Sequence, residues 1–149
     1  MRSPPSTGSR FGRIEAVMKF NPEISRELSQ RINAKLGECY NNAFRALPML
    51  PGSLYIEGYA ILDIGMIVEH GWIEYRGETI DPTWPEGALW YEPGLKYSLG
   101  ELLNALANVP EEVEEIELPI FYRFGLGGNR SPKMREANRR ALAHIGVEL

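Results

Sequence analysis

The stretch "EHGWIEYRGETIDPTW", residues 69–84, alternates apolar and polar side chains on both sides of Arg76-Gly77. This alternation is typical of two antiparallel strands that form a hairpin. If Arg76-Gly77 is a two-residue turn, Tyr75 pairs with Glu78 and the register of the whole hairpin follows. The stretch therefore predicts the central part of a small antiparallel sheet.

The parity of this hairpin decides whether His70 and Asp81 can meet. With a two-residue turn, Asp81 stands opposite Trp72, and His70 lies two residues along the same face, roughly 7–8 Å away. A four-residue loop would bring His70 and Asp81 directly opposite each other, whereas a three-residue loop would place them on opposite faces. An imidazole and a carboxylate on one face can form a hydrogen-bonded pair.

The pattern of apolar and polar residues also predicts the secondary structure of the neighbouring segments. Strands are predicted at residues 54–62, 66–75, 78–84 and 118–124, and residues 85–98 are predicted to form a loop. The sheet is expected to be purely antiparallel. The predicted fold class is therefore α+β.

Helix signals lie on both sides of these strands. Asn21 and Pro22 predict the start of a helix that runs to about Leu36, with an apolar stripe facing the core. A second helix is predicted to begin at Glu38 or Cys39 and to stop before Pro48. Two further helix starts are Ser98, with Glu101 completing a capping box, and Ser131 followed by Pro132.

Length and composition favour one globular domain. The chain has 149 residues, of which 44% are hydrophobic, so we expect a single domain over residues 12–149 after a disordered tail at 1–11. No apolar run is long enough to span a bilayer, and the first residues lack the apolar stretch of a secretory signal. The expected location is cytoplasmic, without a membrane partner. A net charge of −4 also argues against a nucleic-acid partner.

Cys39 is the only cysteine, which excludes an internal disulfide and a multi-cysteine zinc site. A thiol at the start of a helix lies near unpaired backbone N–H groups, which stabilise a thiolate. A nucleophilic thiol also needs a base, and the base needs a group that orients it. His70 and Asp81 are the candidates for these two roles, and no metal or organic cofactor is required.

The segments "GECYNNAFRAL", "YIEGYA" and "EHGWIEYRGETIDPTW" together resemble the transglutaminase-like branch of the papain-like cysteine enzymes. The likeness covers residues 37–84 and implies a nucleophile helix packed on a small antiparallel sheet. It also implies that Cys39 is the nucleophile, that His70 is the general base and acid, and that Asp81 orients His70. Papain-like enzymes take a second oxyanion donor from upstream of the cysteine, for which Asn33 and Gln30 are the candidates.

The expected activity is that of a cysteine hydrolase, a protease, amidase or deamidase, acting on a protein, peptide or other amide substrate. The short interval between His70 and Asp81 and the small chain favour hydrolysis over cross-linking. Two alternatives stay open: transfer of the acyl group to an amine, and a non-catalytic protein-binding module on the same fold. Four aromatic residues are candidates for lining the substrate groove, namely Trp72, Trp84, Trp90 and Tyr91.

Overall fold

The structure, a computed structural model, describes residues 19–108 and 132–146. In these residues it is a mixed α+β fold with one five-stranded sheet and four helices. The strands, in the spatial order β1-β4-β3-β2-β5, and the helices have the following bounds: β1 Lys19–Phe20, β2 Leu54–Ile61, β3 Ile67–Tyr75, β4 Glu78–Ile80, β5 Trp90–Tyr97, α1 Pro22–Ile32, α2 Cys39–Ala46, α3 Leu99–Ala107 and α4 Pro132–His144. A short 3-10 helix, Leu47–Met49, follows α2.

The β3–β4 hairpin has the predicted two-residue turn. Tyr75 pairs with Glu78, and both turn residues have positive φ angles, 52° at Arg76 and 77° at Gly77. Two consecutive left-handed residues define the turn type that matches the natural twist of a hairpin. The register that the sequence required is confirmed.

The cap of α1 is as predicted, but the helix is shorter. Asn21 accepts a hydrogen bond from the backbone N–H of Ile24 at 2.9 Å. The helix ends at Ile32 because Asn33 adopts a left-handed conformation, with a φ of 52°. The prediction that α1 reaches Leu36 with that side chain in the core is therefore wrong, and Leu36 is 81% exposed.

The other helix starts are confirmed where the structure describes them. Helix α2 begins at Cys39 and ends before Pro48. The Ser98 hydroxyl accepts from the N–H of Glu101 at 3.1 Å, and the Glu101 carboxylate accepts from the N–H of Ser98 at 2.8 Å, so the capping box is complete. Pro132 is the first residue of α4.

Three predictions about the sheet need correction. The sheet is mixed, because Lys19 and Phe20 of β1 pair in parallel with β4. Part of the predicted loop, residues 90–97, is strand β5, which pairs antiparallel with β2. The strand predicted over 78–84 ends at Ile80, because the next residue, Asp81, turns its carboxylate onto the backbone N–H groups of Thr83 and Trp84.

Helices pack on one face of the sheet. Alternate residues of β2, including Tyr55 and Tyr59, lie in the main core with Ala43 and Ala46 of α2. Intervening residues lie in a smaller cluster on the other face; its buried members are Ile56, Ala60, Trp72 and Tyr91. The candidate site lies at the edge of the sheet, between these two faces.

Some predictions fall outside the described residues: the tail at 1–11, the strand at 118–124 and the cap at Ser131. Over residues 19–108 and 132–146, no helix combines the length and the apolar character needed to cross a bilayer.

Candidate active site

The thiol of Cys39 lies at the first position of α2. It is free and partly buried. Glu38, which precedes the helix, makes no side-chain hydrogen bond to its first turn. The N–H groups of a first helical turn have no acceptor within the helix, so the backbone around Cys39 presents hydrogen-bond donors beside the sulfur.

Gly71 lets the start of α2 approach strand β3. A Cβ atom at Gly71 would lie 2.6 Å from Cδ1 and 3.3 Å from Cα of Tyr40, the residue after Cys39. Only a residue without a side chain therefore allows this packing. Gly71 lies between His70 and Trp72, and its place in the strand brings the turn that carries Cys39 against the sheet.

Helix α2 packs on the face of the sheet opposite to that of His70. A sequence-based pairing of Cys39 with His70 requires the first turn of α2 to cover the face of His70, but α2 packs on the face of Gly71, and neighbouring residues of a strand point to opposite faces. The thiol nevertheless lies close enough to the His70 imidazole to raise the pKa of that ring. This is possible because β4 pairs with β3 only from Ile73 to Tyr75, which leaves the β3 edge beside His70 open.

The imidazole of His70 is buried between its two partners. Its Nε2 lies 2.8 Å from Oδ2 of Asp81, so Nδ1 is the ring nitrogen that this bond leaves over. The residue is 1% exposed, and its ring stacks on the Trp84 indole at a centroid distance of 3.8 Å and an angle of 7°. The hairpin register predicted His70 and Asp81 on the same face of the sheet, and the two side chains are in direct contact.

Asp81 is fully buried and its carboxylate is saturated with donors. Besides binding His70, Oδ2 accepts from the Tyr91 hydroxyl at 2.7 Å. Oδ1 accepts from the backbone N–H groups of Thr83 at 3.0 Å and Trp84 at 3.1 Å. A carboxylate with four hydrogen bonds is fixed in one orientation, as a residue that orients an imidazole needs to be.

The backbone at Asp81 is tied to helix α1. The N–H of Asp81 donates to the hydroxyl of Ser25 at 2.9 Å, and this hydroxyl donates to the carbonyl of Asn21 at 2.6 Å. Ser25 is fully buried. The start of α1 therefore fixes the position of the carboxylate.

The environment favours a charged imidazole. Burial lowers the pKa of His70, but the hydrogen bonds and negative charge of Asp81 and Cys39 outweigh burial and raise it to about 9. His70 is therefore an imidazolium at neutral pH.

A buried amide, Asn42, holds the segment that leads into Cys39. Its Nδ2 donates to the carbonyl of Lys35 and to the hydroxyl of Thr83, both at 2.8 Å, and its Oδ1 accepts from the N–H of Lys35 at 3.2 Å. Asn42 thereby joins the segment between α1 and α2, helix α2 itself and the segment that follows Asp81.

Asn33 and Gln30, the candidate oxyanion donors, are exposed at the end of α1. Within the described part of the chain, no hydrogen bond joins either side chain to Cys39, and their oxyanion role stays a prediction.

The aromatic candidates divide into two pairs. Trp72 and Tyr91 are 2% and 3% exposed, which leaves little surface for a substrate.

The other two aromatic candidates are partly exposed. Trp84 covers His70, and Trp90 stacks on the His144 ring at a centroid distance of 4.4 Å. Of the four, Trp84 stacks on His70 and is partly exposed. It is therefore the aromatic residue best placed for a substrate.

Sequence reasoning missed three parts of the site: Ser25, Asn42 and the hydroxyl of Tyr91. Ser25 and Asn42 act through contacts with residues that are distant in the chain, Asp81 and Thr83. Tyr91 contacts Asp81, which lies ten residues before it. The only local signal was the polar side chain of Asn42 on the same buried side of α2 as Ala43 and Ala46.

The described residues contain no cluster of three or more histidine, cysteine, aspartate or glutamate side chains that could hold a metal ion. A scan against models of known protein families and searches of curated proteins and of solved structures find no match to this chain.

Proposed function

We propose that this protein is a cysteine-dependent hydrolase of the transglutaminase-like, papain-like type, acting on a protein, peptide or other amide substrate. The observation that carries the proposal is the buried, hydrogen-bonded pair of His70 and Asp81, close to the thiol of Cys39 at the start of α2. Of these three residues only Cys39 is accessible, so a substrate would meet the sulfur first.

Acylation begins with attack of the Cys39 thiolate on the carbonyl carbon of the substrate. A carbon–sulfur bond forms, and the carbonyl oxygen becomes an oxyanion beside the free N–H groups at the start of α2. When the carbon–nitrogen bond breaks, the His70 imidazolium gives its proton to the leaving amine. The products of this half-reaction are a thioester on Cys39, a neutral imidazole and a free amine.

Deacylation uses the imidazole that acylation leaves behind. Neutral His70 takes a proton from a water molecule as the water oxygen attacks the thioester. Cleavage of the carbon–sulfur bond then releases a carboxylic acid and restores the thiolate and imidazolium. Asp81 stabilises the imidazolium and keeps the ring aligned in both half-reactions.

The test is the rate of iodoacetamide alkylation of Cys39 between about pH 5 and 9, followed by intact mass, in the wild type and in His70→Ala. An unperturbed thiol is labelled with a midpoint of about pH 8.5, whereas a thiolate paired with an imidazolium reacts well below that. We expect fast labelling at about pH 6 in the wild type and slow labelling in His70→Ala.

Slow labelling of the wild type with an ordinary midpoint would contradict the proposal and would favour a protein-binding module. If the pair is present, incubation of the acylated enzyme with and without an added amine separates hydrolysis from acyl transfer. We expect the free acid as the main product in both incubations.

A further inference from the structure

A second buried carboxyl lies beneath the nucleophile helix. Glu57 of β2 is 1% exposed and pairs across the ladder with Gly71 of β3. Cross-strand partners project to the same face, so Glu57 points to the face on which Tyr40 occupies the space that Gly71 leaves open. Because Tyr40 directly follows Cys39, the Glu57 carboxyl lies below the turn that carries the nucleophile.

Besides burial, the groups that shift the pKa of Glu57 are Tyr55 and Glu69, and neither is a cation. Oε2 of Glu57 accepts a hydrogen bond of 2.7 Å from the Tyr55 hydroxyl. The neighbouring carboxyl that acts on it electrostatically is Glu69. Helix α4 also packs on this part of the sheet, with Met134 and Ala137 as buried apolar residues. The ionisable groups that interact with Glu57 are Tyr40 of α2, Tyr55 of β2, Glu69 of β3 and Tyr97 of β5. The cations of α4, Lys133, Arg135, Arg139 and Arg140, are exposed.

A buried carboxyl without a cation is more stable in its neutral form. Burial raises the pKa of Glu57 to about 7; the hydrogen bond from Tyr55 lowers it, and the charge of Glu69 raises it. Loss of the proton to solvent would place a negative charge among acidic groups and near Cys39. Such a charge would oppose a thiolate at Cys39 and draw water beneath Tyr40.

We propose that Glu57 is a positioning residue for Cys39 and that it acts in its neutral form through the ring of Tyr40. The inference rests on the proposed function, because it concerns the pairing of Cys39 with His70. Neutral Glu57 lets the first turn of α2 pack closely on Gly71, so the thiol reaches the imidazole. Ionised Glu57 loosens this packing, and the nucleophile loses reactivity.

The experiment compares iodoacetamide alkylation of Cys39 in the wild type and in Glu57→Gln across about pH 5 to 9, with intact mass as the readout. In the wild type the rate constant is expected to fall by about threefold or more, with a midpoint near pH 7. Glu57→Gln should lack this fall, because the amide can still accept from Tyr55 but cannot ionise. A fall that persists in Glu57→Gln, or none in the wild type, overturns the inference.

Two neighbouring substitutions should move the midpoint in opposite directions. Tyr55→Phe removes a donor that lowers the pKa of Glu57, so the fall should move to higher pH. Glu69→Gln removes a charge that raises this pKa, so the fall should move to lower pH. Glu27→Gln, on the exposed side of α1, should leave it in place. If Glu57→Gln does not fold, the opposite shifts of the pH midpoint in Tyr55→Phe and Glu69→Gln test the inference alone. Shifts of the midpoint in the same direction, or no shift, overturn it.

His70→Ala, measured in parallel, separates this inference from the proposed function. If labelling at about pH 6 does not depend on His70, the cysteine–histidine pair fails and the inference fails with it. If labelling depends on His70 but shows no fall near pH 7, the pair stands and only the role of Glu57 is wrong.

Discussion

Tyr91 donates a 2.7 Å hydrogen bond to the same oxygen of Asp81, Oδ2, that lies 2.8 Å from Nε2 of His70. The Tyr91 hydroxyl also accepts from the backbone N–H of Ala88 at 3.0 Å. Both interactions are buried or partly buried, so neither partner can easily exchange the bond for water. The hydroxyl therefore fixes the carboxylate and, through it, the plane of the imidazole.

Tyr91→Phe is expected to lower the free energy of unfolding by about 1–3 kcal/mol, because it leaves the Ala88 N–H and one side of Asp81 without their partner. Alkylation of Cys39 at about pH 6 should also slow, since His70 is less firmly held. Urea unfolding and labelling rates measure the two effects. Tyr75→Phe, at the end of β3, is the control and should change neither. Full labelling speed in Tyr91→Phe would contradict a positioning role.

Asn42→Ala is expected to destabilise the fold by about 2–4 kcal/mol, because it removes three buried or partly buried hydrogen bonds, two to the backbone of Lys35 and one to the Thr83 hydroxyl. Labelling of Cys39 should lose its dependence on His70, since the segment before α2 is no longer anchored. The neighbouring Asn41 is exposed, so Asn41→Ala is a matched control on the same helix. Equal effects of the two substitutions would contradict the anchoring role of Asn42.

Gly71→Ala should weaken the contact between α2 and β3. The new Cβ would lie 3.3 Å from the Tyr40 Cα atom, which is backbone and cannot rotate away. We expect a loss of about 1–3 kcal/mol in the free energy of unfolding. Gly100→Ala is the control of opposite sign, because Gly100 has open space in helix α3, and alanine there should stabilise by up to about 1 kcal/mol. A stable Gly71→Ala protein with rapid labelling of Cys39 would refute the close approach.

Local sequence patterns were sufficient for the hairpin and the helix caps. Arg76-Gly77 fixed the register through a turn of two residues, and the register placed His70 and Asp81 on one face. Asn21 and Ser98 act as caps through residues three positions away. Each of these features depends on neighbours in the chain, which a sequence displays directly.

Features that depend on distant contacts could not be predicted. Strand β1 has only two residues and is defined by pairing with β4, almost sixty residues later. Strand β5 contains Pro93 and Gly94, which interrupt the alternation of apolar and polar residues that identifies a strand. The strand forms through its pairing with β2. The face on which α2 packs was equally hidden, because it depends on the absence of a side chain at Gly71.

Glu57 should make stability fall with rising pH in the acidic range. The pKa of Glu57 is about 7 in the folded chain and 4.5 for an unperturbed glutamate. Between these values the folded state holds a proton that the unfolded state has released, so the free energy of unfolding decreases as pH rises. Urea unfolding across about pH 4.5 to 7 should show this decrease in the wild type. Glu57→Gln should show a smaller decrease, and identical slopes would contradict the raised pKa.

His70 should produce a second decrease at higher pH. Its pKa is raised from 6.5 to about 9, because its bonds to Asp81 and Cys39 outweigh its burial. A raised histidine pKa contributes stability that is fully present below 6.5 and is lost as pH rises through about 9. The wild type should therefore become less stable across this window, while His70→Gln, which has no proton to lose, should start less stable and change less. A wild-type free energy of unfolding that stays level or rises there, after subtraction of the His70→Gln curve, would show that the folded imidazole is neutral.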